Sequence, residues 1–269
     1  MTVAEVAGRA AAAERPGRLW EIDAARTVAI AMMVAYHAVY DLHFLSAETV
    51  GADPFSGGWK ALRVATGVSF LGVAGLSFWV STARARAAGL AGWGLWRKHA
   101  RRGAQVMGWG VVVTLATLAA LGTDDYVRFG VLSAIGASIL LAPLVARLGA
   151  WNAVAGAAIV TAGLLMNDVR SGVPGAFILG FRHPDGAGVD WYPLAPWFGV
   201  FAIGIAAGAL LYPDGRRGPL AARLPRDNPL PAAARPGRHS LAVYLLHQPV
   251  LIALLAAGLA VAGVDLGWR

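Results

Sequence analysis

Arg26, His37 and Asp41 stand on one otherwise apolar stretch of the chain, and all three are side chains that hydrocarbon would reject. On a helix, the eleven residues from Arg26 to His37 span about 16 Å. Asp41 follows four residues later on the same face as His37. A carboxylate there could fix the imidazole tautomer and raise its basicity, which is the core of a general base. The plainer alternative is a structural interhelical hydrogen-bond pair. A second polar set runs Gly237-Arg238-His239-Ser240 and on to Tyr244, His247 and Gln248 before Pro249. Ser240, Tyr244 and Gln248 share one helical stripe, and His247, three residues from Tyr244, can join it. Ser240 could equally cap a helix and His239 meet a headgroup.

Two further segments could bind. Asp190-Trp191-Tyr192-Pro193-Leu194-Ala195-Pro196-Trp197 places an acid and aromatics ahead of an apolar run. Asp190 and Tyr192 there could meet a cationic or sugar acceptor, or Asp190 could simply be a carboxylate at a helix start. Arg84 to Arg102 carries six basic residues interleaved with Trp93 and Trp96. Retention on the cytoplasmic side and contact with anionic lipid explain most of that charge. A phosphate-bearing donor such as coenzyme A would also find counter-charges there. No metal-ligand spacing is present, and the absence of cysteine removes thiolate chemistry.

These groups must be carried by membrane helices. The 269 residues are 57% hydrophobic and 14% charged, against roughly 45–50% and about 25% in soluble domains. Seven stretches approach the length of about 20 apolar residues that a span requires: Thr27 to Leu45, Trp59 to Thr82, Ala104 to Leu121, Phe129 to Ala146, Trp151 to Met166, Tyr192 to Tyr212 and Ser240 to Val261. Trp20, Trp59, Trp109, Trp151, Trp191, Trp197 and Tyr212 sit near their ends, as interfacial aromatics do. Small residues such as Gly67, Gly72, Gly75, Gly199, Gly204 and Gly208 would let these helices approach closely.

The basic residues fall on alternate loops. One side takes Arg9, Arg15, Arg18 and Arg26, the Arg84–Arg102 group, Arg147, and the run from Arg216 to Arg238. The other keeps Lys60, Arg63, Arg128, Arg170, Arg182 and Arg269 among Glu48, Asp53, Asp124, Asp125, Asp168, Asp185 and Asp190. The positive-inside rule then predicts an all-α, polytopic bundle with a cytoplasmic N-terminus and an outer C-terminus. Residues 1–18 read as a flexible cytoplasmic lead and 19–269 as a single membrane domain, with Pro213 to Arg238 a linker inside it. The +8 net charge is topological, so nucleic acid is not an expected partner, whereas membrane lipid is.

The chain resembles the heparan-α-glucosaminide N-acetyltransferase catalytic-domain family, within the wider transmembrane acyltransferases that include the acyltransferase-3 proteins. Four blocks carry the resemblance: Arg18 through Arg26 leading to His37 and Asp41; Phe129-Gly130-Val131-Leu132-Ser133-Ala134-Ile135-Gly136; Asp190 through Trp197; and Gly237 through Pro249. The resemblance implies a plasma-membrane enzyme that moves an acetyl group from cytoplasmic acetyl-CoA to an amine or hydroxyl of a sugar at the far face, without a metal. The arginine and histidine of the acyltransferase-3 pattern map onto Arg26 and His37. The eukaryotic enzyme uses a histidine further outward, where this chain has Leu45-Ser46-Ala47-Glu48.

The expectation is therefore an acyltransferase in which His37 is the base, Asp41 orients it, and Arg26 with residues of the basic loop engages the acyl-CoA. Asp190, Tyr192, Trp197, Arg238, Ser240, Tyr244, His247 and Gln248 are expected around donor and acceptor. The rival is a proton-coupled transporter using His37, Asp41 and Asp190 as a relay. A retinal-type receptor is excluded because neither lysine, Lys60 nor Lys98, lies in the final helix. Homo-oligomerisation is left open.

Overall fold

The computed structural model describes residues 17–47, 51–184, 186, 188–264 and 266. Residues 1–16, most of the expected lead, and Glu48, Asp185 and Arg269 lie outside the described residues. Among the described residues nine α-helices form: α1 Trp20–Leu45, α2 Gly57–Ala87, α3 Gly92–Leu121, α4 Val131–Val145, α5 Asn152–Met166, α6 Ala176–Leu179, α7 Leu194–Leu211, α8 Arg235–Arg238 and α9 Ser240–Val261. Among the described residues there is no strand, only the isolated bridges Phe129 to Trp191 and Arg170 to Arg182.

Among the described residues six helical stretches are long and apolar enough to cross a membrane. Several run past the apolar segments expected of them. The first begins at Trp20 rather than Thr27, and α3 begins at Gly92 rather than Ala104. The added turns carry charge because they project beyond the apolar layer at the arginine-rich end, where hydrophobicity no longer limits a helix. One of the six, Val131–Met166, is interrupted by a 3-10 segment at Ala146–Trp151 in which Gly149 takes φ 52°, ψ −122°. The buried amide of Asn152 donates to the carbonyls of Val145 and Gly149, both at 3.0 Å, and fastens this turn.

The two sides of that break run in opposite directions. The carbonyl of Phe129, just ahead of α4, accepts the N–H of Tyr192 at 2.8 Å. Gly163, near the end of α5, packs on the backbone of Ala195 and Pro196. Both ends therefore lie at the start of α7, and the chain doubles back between them. The core forms where α2, α4 and α7 meet, around Leu71, Phe78, Ala134, Phe201 and Ile205. Outside it, Leu144, Leu165 and Val261 are 79%, 78% and 91% exposed, an apolar exterior suited to lipid.

Glycine sets the closeness of α2 and α7. A Cβ on Gly75 would lie 2.0 Å from the Phe201 carbonyl oxygen, and one on Gly204 would lie 2.1 Å from that of Gly72. Two backbones in such contact gain dispersion and interhelical Cα–H···O contacts without any hydrophobic drive from water. Tyr212 and Trp191, read from sequence as interfacial, instead turn into the protein. Tyr212 is 3% exposed and donates to Glu21 at 3.1 Å, while the Trp191 indole donates to the Phe177 carbonyl at 2.9 Å. A Cβ on Gly72 meets nothing within 4 Å. Gly75→Ala is therefore expected to lower stability by about 1–3 kcal/mol, and Gly72→Ala to leave it unchanged, as read by thermal unfolding of the purified proteins in detergent.

Candidate active site

The first turn of α1 carries Asp23, 2% exposed, with three arginines around it. Arg18 pairs with its carboxylate, Arg26 Nη1 donates to Oδ1 at 2.8 Å, and Arg238 Nε stands 4.0 Å from Oδ2. Arg26 uses Nη2 to bond Ser77 Oγ on α2 at 2.7 Å. The turn ahead of α9 comes so near that a Cβ on Gly237 would fall 1.9 Å from the Asp23 carbonyl oxygen. The Gly237 N–H donates to Thr27 Oγ1 at 2.9 Å. Only glycine admits that approach, which is why Gly237 directly precedes Arg238.

A cavity of about 370 Å³ opens beside this cluster among α1, α2, α3, α4 and α9. Arg26, Arg102 and Arg238 line it together with Ser77, Ser81 and Ser240. Its remaining wall is largely apolar, with Phe70, Phe78, Ile135 and Ile139, and Tyr244 also lines it. His99, 5% exposed, lines it as well. The Thr82 hydroxyl donates to the Phe78 carbonyl at 2.8 Å, so it accepts from His99 Nε2 at 3.0 Å. The other ring nitrogen of His99 then carries a lone pair.

Beyond Tyr244 lie the histidines. His37 Nδ1 is 2.9 Å from the Met33 carbonyl oxygen and His247 Nδ1 is 2.6 Å from that of Tyr244. A carbonyl only accepts, so each Nδ1 carries the hydrogen and each Nε2 presents its lone pair. The rings meet edge to face with centroids 4.9 Å apart. Gln248 Nε2 donates to Asp41 Oδ1 at 2.6 Å. Among the described residues, Asp41 Oδ2, His247 Nε2 and Gln248 Oε1 are buried without a hydrogen-bond partner. Each such orphan costs about 1–3 kcal/mol, and every one of them is an acceptor. The site is thus built to receive hydrogen-bond donors.

Asp190 sits at the opposite end. Its carboxylate accepts the Val131 N–H at the start of α4, and a Cβ on Gly130 would lie 3.0 Å from Oδ2. It is therefore a helix-start carboxylate, on α4 rather than on the helix that follows it in sequence. Burial pushes its pKa up to about 7, opposed by the Val131 hydrogen bond and by the charge of Arg63. Tyr192 and Trp197 pack ring to ring at 4.6 Å and close over Gly67 of α2.

A family model described as heparan-alpha-glucosaminide N-acetyltransferase, catalytic, matches residues 18–249. The chain belongs to this N-acetyltransferase family. No curated protein and no solved structure matches it. As a member of the heparan-alpha-glucosaminide N-acetyltransferase family with six apolar helices, it is a multi-pass membrane acetyltransferase. Family enzymes use acetyl-CoA as co-substrate.

The structure gathers the residues singled out from sequence into three places. Arg26, Arg238, Ser240 and Tyr244 line the cavity; His37, Asp41, His247 and Gln248 cluster between α1 and α9; Asp190, Tyr192 and Trp197 lie at the far end. One expectation is corrected. Asp41 does not orient His37, because the Met33 carbonyl holds Nδ1 and Asp41 turns to Gln248 instead. The helical i, i+4 relation permits the histidine contact, but the backbone carbonyl competes for the same nitrogen at no side-chain cost. Ser240 is the first residue of α9 and makes no side-chain cap. Asp23, Ser77 and His99 are not among the residues the sequence points to, and Arg102 is there only as one of the Arg84–Arg102 group. The Asp23 to Arg26 spacing, an i, i+3 ion pair on a helix, was the legible signal for the first.

The raised pKa of Asp190 means that the folded state binds its proton more tightly than the unfolded chain, so stability falls as pH rises from about 4 to about 7 and stays low above that. Asp190→Asn, which still accepts from Val131, is expected to flatten this decline. Thermal midpoints of both proteins across that window provide the check.

Proposed function

We propose that the chain transfers an acetyl group from cytoplasmic acetyl-CoA to an amine or hydroxyl of a sugar-type acceptor at the outer face of the plasma membrane. The observation that carries this reading is the cavity, whose wall holds Arg26, Arg102 and Arg238 together with Tyr244, the ring neighbour of His247. Phosphates of the donor would engage Arg26, Arg102 and Arg238, which suit them as planar multidentate cations. The pantetheine arm would lie along Phe70, Phe78 and Ile139 toward Tyr244. His37 Nε2 takes the proton of the acceptor as it attacks the thioester carbonyl. Asp41 and Gln248, with their unused acceptor atoms, hold the acceptor's N–H or O–H groups. Asp190, Tyr192 and Trp197 frame the outer approach. The orphan acceptors favour such a donor-rich sugar amine or hydroxyl over a group that only accepts.

In this reading the chain crosses seven times, with α4 and α5 as separate crossings joined at Gly149, the N-terminus cytoplasmic and the C-terminus outside. Residues 19–269 act as one domain. The reversal at Gly149 and the arginine-rich end support this topology.

Calorimetric titration with acetyl-CoA is expected to give saturable binding that Arg26→Ala weakens; no binding to the folded wild type would remove the donor assignment. His37→Ala should lower turnover by about 10²–10⁴, and wild-type turnover in a folded variant would remove the base. The chain lacks cysteine, so single cysteines report topology directly. Leu148→Cys and Val173→Cys alter exposed positions. In intact cells, a membrane-impermeant maleimide should label the second and spare the first; the reverse pattern inverts the topology, and equal labelling of both removes α5 as a crossing.

A further inference from the structure

His247 has no task in the transfer described so far, yet its surroundings are those of His37. Both rings give Nδ1–H to a backbone carbonyl of their own helix, Met33 and Tyr244 respectively. Both present an Nε2 lone pair toward the space between α1 and α9, with the rings 4.9 Å apart. A histidine kept for structure would use both nitrogens, whereas His247 Nε2 is buried without a partner among the described residues. The order of groups is also informative. Tyr244 lines the cavity and is a ring neighbour of His247 at 5.6 Å, and His247 in turn touches His37. A thioester reaching past Tyr244 meets His247 before His37.

We infer that His247 is a second catalytic residue, the general acid that protonates the departing thiolate, and that the two histidines share one proton through the cycle. The inference rests on the acyl-transfer reading. For turnover the open Nε2 lone pair of His247 first takes up a proton, making that ring the imidazolium, while His37 Nε2 stays free. His37 takes the proton from the attacking N–H or O–H while the new bond to the acyl carbon forms. The C–S bond breaks, and His247 gives its proton to sulfur, releasing the free thiol. Passage of the proton from His37 to His247 across the pair restores the start. The proton lost by the acceptor is thus balanced by the one gained by sulfur, and no other reactant is needed.

The test compares acetyl-CoA with S-acetylthiophenol, whose acidic thiol leaves without a proton, using glucosamine as acceptor and protein in nanodiscs. His247→Gln is expected to lose about 10²-fold on acetyl-CoA and to keep most of its rate on the aryl thioester; His37→Gln should be slow on both. Equal loss by His247→Gln on the two donors, or no loss on either, overturns the assignment. His247→Asn serves as a second isostere, and acetyl-CoA affinity measured for each variant separates lost chemistry from lost fold. A folded wild type inert toward both donors overturns acyl transfer itself, and the pair with it.

Discussion

A single buried carboxylate sets the register of the site. Asp23 draws Arg18, Arg26 and Arg238 together, Arg18 and Arg26 by hydrogen bonds to its buried carboxylate and Arg238 by a longer ion pair at 4.0 Å. Arg18 comes from just ahead of α1, Arg26 from its second turn and Arg238 from the turn before α9, so the cluster fixes two helices that run in the same direction. Gly237 sharpens this by letting backbone meet backbone at Asp23. Fourteen residues deeper, about 21 Å along α1, His37 meets His247 and Asp41 meets Gln248. Without the cluster, nothing at that depth would fix the relative slide of the two helices except polar contacts that are themselves incomplete.

The rest of the bundle holds the frame. Arg217 grips Glu21 with two hydrogen bonds of 2.8 and 2.7 Å and also reaches the Pro225 carbonyl, so the Pro- and Arg-rich segment packs onto the base of α1. Arg84 binds the Gly215 carbonyl from α2 at 2.8 Å. At the far end the Asp190 carboxylate ties the start of α7 to the start of α4. The polar groups thus concentrate at the two ends and in one cluster between α1 and α9, while α2, α4 and α7 fill the middle with close-packed apolar side chains.

Much of the site was legible because lipid penalises polarity so heavily that an embedded His, Asp or Arg announces itself. Arg26 and His37 lie on one continuous helix, as their spacing on an apolar stretch implied. What spacing could not choose was the partner. At i, i+4 Asp41 reaches either His37 or a neighbouring helix, and the backbone carbonyl of Met33 settles the matter through a bond that carries no sequence signature. His99 escaped notice for the opposite reason, since it sits among the basic residues Arg97, Lys98, Arg101 and Arg102 and reads as one more charge on a solvated face. Its burial becomes visible only when Phe78 and Thr82 of α2 are brought against it. The helices outlast their apolar runs at several ends, because hydrophobicity reports the membrane and the backbone follows its own hydrogen bonds.

The parallel pairing of α1 and α9 also has a temporal side. The two histidines stand about two hundred residues apart in sequence, and every helix between them must be inserted before the second can dock beside the first. A chain still emerging from the translocon already holds His37 in the bilayer but offers it neither His247 nor the Asp41 contact to Gln248. An incomplete chain would therefore lack the paired histidines, and their contact comes into being only as the bundle closes.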